Sequence, residues 1–167
     1  TFNIVTCTDA LLKGNQTVNL TLSAATGGAT IGANNPAILT IVDVPPPFGG
    51  TINVGAGETF TSLTNPGGIF QALNGAGLNA NTTINITSDL TGETGAIVLN
   101  QLAEFGVGGY TLTFKPSGAA RTISGTAAAL SIIKLNGADR VTFDGSLSGG
   151  TDRSMTLLYT NTGGTVV

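Results

Sequence analysis

Five charged side chains lie close together in the chain and could do chemistry as a group: Asp139, Arg140, Asp144, Asp152 and Arg153. Carboxylates accept and guanidiniums donate, a combination that suits the hydroxyls of a glycan. The same residues also suit turns. Asp144-Gly145 is a turn dipeptide. Asp139 and Asp144 stand at an odd separation around a strand, which places them on opposite faces. Turn chemistry is therefore the favoured reading, with an arginine–aspartate pair holding the loop 145–154. Asp144, Ser146, Ser148 and Asp152 also invite comparison with a calcium loop, because calcium takes several oxygen ligands. Their spacing fits neither the EF-hand nor the glycine-rich nonapeptide repeat.

The rest of the catalytic repertoire is thin. The chain has no histidine, which removes Ser-His-Asp and Cys-His nucleophiles and the commonest zinc and iron ligands. Cys7 is the single cysteine, so an internal disulfide is excluded. A buried apolar thiol is its ordinary use, and pairing with another chain is the alternative. No cofactor-binding motif stands out. Gly27-Gly28 and the glycines from Gly106 to Gly109 lack the phosphate-loop pattern. The sequons at Asn15, Asn19, Asn81 and Asn85 read as solvent-facing strand residues in a chain rich in Asn and Thr. Thr111-Leu112-Thr113 hints at a flat threonine face, but the pair does not recur in register.

Charged residues make up 9% of the 167 residues, and the net charge is −3. Average domains carry about 25%. Six basic residues without a cluster exclude a phosphate-tracking nucleic-acid surface. No apolar run is long enough to cross a bilayer as a helix, so low charge is not a membrane signal. Solubility falls to Thr, Ser, Asn and Gly, as in exported β-rich proteins. Thr1 opens the chain without Met or a signal peptide, as expected of a mature product or of a segment of something longer.

The elements that must position these residues are strands. Residues 17–23 alternate, with Val18, Leu20 and Leu22 on one face and Thr17, Asn19 and Thr21 on the other, which predicts a half-buried strand. Residues 37–42 and 2–5 predict two more. Pro45-Pro46-Pro47 cannot donate to a ladder and stiffens the chain. With Phe48-Gly49-Gly50 it predicts a linker over 45–50, between a unit over 1–44 and a unit over 51–167. Further strands are expected at 51–54, 82–87, 110–115, 121–124, 130–135, 140–144 and 155–160. A short helix near 66–76 interrupts them. Asn65 is placed as its N-cap and Pro66 in its first position, and Ile69, Phe70 and Leu73 form its apolar face. Its natural task is to cover the end of a β-stack. Ser-Gly, Asn-Gly and Asp-Gly dipeptides punctuate the second half at intervals that suit hairpins and solenoid rungs alike.

Two resemblances choose between these. The run Leu11-Leu12-Lys13-Gly14-Asn15-Gln16-Thr17-Val18-Asn19-Leu20-Thr21-Leu22-Ser23, with Thr26-Gly27-Gly28-Ala29-Thr30-Ile31-Gly32 and the apolar strand ending at Asp43, resembles the C-terminal half of a Calx-beta domain. The resemblance implies a β-sandwich whose first strands lie outside this sequence. Members of that family often bind calcium through clustered carboxylates. Here Lys13, Gly14, Asn15 and Gln16 stand where the acidic stretch is usual, which leaves Asp9 and Asp43 as ligands. The stretch from Ile132 to Ser146, containing Asn136-Gly137-Ala138-Asp139-Arg140-Val141-Thr142-Phe143-Asp144-Gly145, is followed by Gly149-Gly150-Thr151-Asp152-Arg153 and Met155-Thr156-Leu157. It resembles right-handed parallel β-helix segments of large bacterial surface proteins.

The expected fold is all-β: a partial Calx-beta-like sandwich joined to a parallel β-solenoid with one capping helix. The expected function is non-catalytic, structural or adhesive, at the cell surface. Self-association, other surface proteins or glycans are the expected partners. A filament subunit that joins by strand addition or rung stacking is its more specific form. The alternative is the N-terminal part of a β-helix polysaccharide lyase or glycosidase whose active rungs lie outside this segment. No cofactor is expected beyond calcium, for which Asp9, Asp43, Asp144 and Asp152 are the candidates.

Overall fold

The computed structural model describes residues 15–42, 45–126 and 131–160. They fall into two compact units that divide between Pro46 and Pro47. The strand expected at 2–5, along with Cys7, Asp9 and Asp43, lies outside the described residues.

In the first unit, β1 (Gln16–Leu20) pairs antiparallel with β2 (Ala37–Ile41), with Val18 opposite Leu39. The Asn35 side chain extends this ladder by one step. Its Oδ1 accepts from the Leu22 backbone N–H at 2.7 Å, and its Nδ2 donates to the Leu22 carbonyl at 2.9 Å. β1 stops at Leu20, short of the expected strand end, because this side-chain pairing replaces the backbone ladder. The burial expected of the apolar alternation is only partial. Val18 is 38% exposed and Leu22 68%. Leu20, Leu39 and Ile41 are half-buried.

The second unit is a parallel β-solenoid of about three turns. Its first side stacks β3 (Phe48–Val54), β4 (Leu78–Ile86), β7 (Leu112–Pro116) and β10 (Val141–Phe143), all parallel. The second side stacks β5 (Leu90–Glu93), β8 (Arg121–Gly125) and β11 (Met155–Tyr159). The third side carries α1 (Ile69–Ala76), β6 (Leu99–Asn100) and β9 (Leu135–Asn136). Successive turns are joined by side-chain bonds between residues 30, 33 and 36 apart on the three sides.

Strand alternation explains the packing. In β4, Thr82, Ile84 and Ile86 point inward and are buried, whereas Asn81, Thr83 and Asn85 point outward. Like residues therefore stack on like. Ile52, Ile84, Phe114 and Phe143 form one inward column, and Leu90, Ile123 and Leu157 another. Phe114 is the central contact, stacked on Phe143 at 4.8 Å and edge-on to Phe70 of α1 at 5.6 Å. The fully buried members, Ile84, Phe114 and Ile123, each contribute about 1.5–3 kcal/mol by burial.

Several sequence expectations need correction. β3 begins at Phe48, inside the stretch read as linker, and absorbs the two glycines as a bulge between Phe48 and Gly50. β5 and β6 were not foreseen. Of the strand expected over 130–135, only Leu135, the first residue of β9, is extended among the described residues. The helix starts later than expected. Gly68 is its N-cap, without a side-chain cap bond. Asn65 is occupied elsewhere: its Oδ1 accepts from the Thr94 N–H at 2.9 Å and from the Thr94 hydroxyl, and its Nδ2 donates to the Gly92 carbonyl. A turn through Gly67, at φ 82°, separates Asn65 from the helix.

The two ends of the solenoid differ. At the N-terminal end α1 takes the place of a strand, and Ile69, Phe70 and Leu73 are fully buried beneath it. Asn74 supplies the ladder bonds that a strand would make. Its Nδ2 donates to the Val98 carbonyl at 2.7 Å and its Oδ1 accepts from the Asn100 N–H at 2.9 Å. Below it Glu93 is only 1% exposed, and its carboxylate accepts from the Ser62 hydroxyl, the Leu63 and Thr64 N–H groups and the Thr64 hydroxyl. At the other end the inward-facing Leu157 is 52% exposed, as is Leu135 at 49%. Among the described residues no helix covers this end.

Candidate functional site

The charged cluster divides into two groups that do different things. β10 is only three residues long, and Asp139 and Asp144 lie outside its two ends. On the near side Arg140, held at φ 52°, pairs with Asp139 at 2.7 Å and with Glu104, and its Nε donates to the Tyr110 carbonyl at 3.0 Å. Glu104 also accepts from the N–H groups of Gly109 and Tyr110. The Gly109 N–H and then the Arg140 guanidinium hold the Glu104 carboxyl below its ordinary range, and Glu104 in turn raises Arg140. This group ties one turn of the solenoid to the next at the edge of the first side. Sequence reasoning missed Glu104, because it lies a full turn earlier in the chain.

On the far side Asp144 and Asp152 hold the loop 145–154 through serine and backbone donors, and among the described residues the arginine–aspartate pair that the sequence suggested does not form there. Asp152 accepts from the Leu147 N–H at 2.8 Å and from the Ser148 and Ser154 hydroxyls at 3.0 and 2.6 Å. Asp144 accepts from both the N–H and the hydroxyl of Ser146. The Ser146 hydroxyl and N–H lower Asp144. The Ser154 hydroxyl first, then the Leu147 N–H, lowers Asp152 from an ordinary 3.8 to about 2. Short polar side chains that satisfy nearby backbone groups are the usual chemistry of such loops.

The pH response of the loop follows. A carboxylate whose pKa is depressed in the folded chain stabilises the fold above its unfolded value, and that contribution is lost as pH falls through the folded value. The loop should therefore stay ordered down to pH 3.8 and give way toward about 2. The Leu147 amide proton, followed by NMR, should shift with a midpoint near the lower value. A midpoint near 4, the unperturbed carboxylate range, would show that Asp152 does not organise the loop.

Among the described residues no three Asp, Glu or Cys side chains come together as a metal site requires. Asp152 engages both carboxylate oxygens with serine and backbone donors, Asp144 accepts from Ser146 through Oδ1, and Asp9 and Asp43 lie outside the described residues.

The outward face of the first side carries an array that sequence spacing did not reveal. Thr51, Thr83, Thr113 and Thr142 stack in register across four strands. The neighbouring outward positions hold Asn53, Asn85 and Lys115 on one flank. Thr111 lies just before β7, and Asn81 and Arg140 hold the matching places one turn either side, so the threonine pair does not recur while a single column does. The third side has its own ladder, Asn74, Asn100 and Asn136, joined by hydrogen bonds. The recurrent Leu-Asn dipeptide at 73–74, 99–100 and 135–136 was its visible signal.

No helix among the described residues is long and apolar enough to cross a membrane. No family model matches this sequence, and no curated protein and no solved structure resembles it to a significant degree.

Proposed function

We propose that this chain forms part of a non-catalytic, extracellular structural or adhesive protein, in which the solenoid acts as a stiff stalk segment. One observation carries the reading: the charged residues with the densest spacing are spent on holding turns and joining rungs. They tie the scaffold together, leaving the outward face of the first side as columns of Thr and Asn in which Lys115 is the charged member. A hairpin with exposed Val18, Leu22 and Ile38, and without a charged side chain from Asn15 to Val42, fits the closing strands of a Calx-beta-like sandwich. Such a hairpin is marginal alone and suits strand addition by a neighbour.

Among the described residues the two ends of the solenoid differ in their cover. Leu157 and Leu135 are core positions awaiting cover, whereas α1 and Asn74 occupy the third side at the other end. Continuation or strand addition at the β10/β11 end is therefore favoured over simple head-to-tail stacking of identical ends.

The test is electron microscopy of the native material together with its intact mass. Regular fibres or stalks built from this chain are the expected result. Hydrolysis or elimination of acidic polysaccharides by the purified chain would overturn the reading.

A further inference from the structure

The tetrapeptide Leu-Asn-Gly-Ala occurs twice, at 73–76 and at 135–138. Asparagine before glycine is the pair most prone to spontaneous deamidation, because no side chain hinders the glycine nitrogen. In the reaction the backbone nitrogen of the glycine attacks Cγ of the asparagine. The Cγ–Nδ2 bond breaks, and ammonia leaves with the proton that the nitrogen gave up. Water then opens the cyclic imide at either carbonyl, giving aspartate or iso-aspartate. No enzyme or oxidant is required. The two copies share the residue before the asparagine and the two after it, so they serve as internal controls for one another.

Their surroundings differ. Asn74 lies inside α1, and both ends of its amide are engaged, with the Val98 carbonyl at 2.7 Å and the Asn100 N–H at 2.9 Å. The amide nitrogen of Gly75 falls within the helical ladder, where it donates to the carbonyl four residues earlier. Attack at Asn74 therefore needs local unfolding of the helix that closes the solenoid. Asn136 sits on the two-residue β9, is exposed, and precedes an exposed Gly137 at φ 77°. Its Nδ2 donates to the Asn100 Oδ1 at 2.9 Å, a bond with exposed partners that opens at little cost.

We propose that Asn136 is a site of spontaneous deamidation in the folded protein and that Asn74 is protected. The product matters because of where it forms. A carboxylate at 136 places an acceptor against the Asn100 Oδ1, so the top step of the asparagine ladder is lost. An iso-aspartate also inserts a methylene into the backbone and shifts Gly137 and the chain after it out of register with β6. The modification thus adds negative charge and loosens the third side near the open end of the solenoid.

The experiment is peptide mapping by mass spectrometry after incubation of the full chain in mildly alkaline buffer, folded and in concentrated urea. In the folded chain Asn136 should convert at least about tenfold faster than Asn74, since Asn74 must wait for local opening. In urea the two should convert at similar rates. The Asn136→Gln variant should lose the folded-state signal. Equal conversion at the two sites in the folded chain, a persisting difference in urea, or a folded-state signal that survives Asn136→Gln would each overturn the proposal.

Discussion

Replacing Glu93 with alanine should destabilise the solenoid by about 3–5 kcal/mol, because it strands several buried donors at once. The Glu93 carboxylate is the shared acceptor for two backbone N–H groups and two hydroxyls. Water does not reach the site readily, since Glu93 is 1% exposed, Thr64 is fully buried and Ser62 is 9% exposed. Leaving a buried donor unpaired costs about 1–3 kcal/mol each, and part of this is recovered when the loop relaxes. Glu93→Gln separates charge from shape. Oε2 accepts three of the four bonds and Oε1 accepts only that of Leu63. A glutamine can place its oxygen at the first position, but its amide nitrogen then faces the Leu63 N–H, so a loss of about 1–3 kcal/mol is expected. Urea denaturation gives the total, and hydrogen exchange at Leu63 and Thr64 gives its location. An alanine variant within about 1 kcal/mol of the parent would show that the network is incidental.

Gly125→Ala should cost about 3 kcal/mol or more, for a steric reason. A Cβ built there would lie 1.9 Å from the Glu93 carbonyl oxygen and 2.5 Å from its nitrogen. Both are backbone atoms of the strand below, so no side-chain rotation relieves the clash. β5 carries a bulge between Thr91 and Glu93, which brings its backbone close to Gly125. Gly145→Ala is the control, since no atom lies within 4 Å of its Cβ position and no left-handed φ is required. The expected order of thermal stability is parent close to Gly145→Ala, with Gly125→Ala well below both. Similar stabilities for the two variants would mean that the stack at Gly125 is looser than described.

Much of the second unit was legible because its strands obey simple alternation. β4 reads in the sequence as it packs, with isoleucines inward and asparagines outward. The helix was legible through Ile69, Phe70 and Leu73, which are buried as their spacing implied. Its start was not, because Asn65 and Pro66 offered a complete local explanation. The better partner for Asn65 was Thr94, which becomes visible only when one turn is laid on the next. β5 and β6 were missed for a related reason. Leu90–Glu93 is short, contains a glycine, and gains its strand character from β8 above it. The candidate site showed the same limit. Asp144 was recognised as a turn residue from the Asp144-Gly145 dipeptide, whereas Glu104 could not be joined to Arg140 without the period of the coil. In a solenoid the decisive neighbours lie a turn away, and the turn length here varies from side to side.

The unequal ends give the solenoid a mechanical polarity. In a coil each rung touches only its neighbours, so resistance to separation passes from one rung to the next. At the α1 end the first turn is fastened by a buried carboxylate and by asparagine side chains. At the β10/β11 end the described strands rest on ladder bonds, half-covered leucines and the exposed Arg140–Glu104 pair. A load that peels the stack therefore meets its weakest step at β10 and β11, and rupture travels toward the helix. A coil of this kind behaves as a one-way zipper, with its catch at the helical end and its slider at the other.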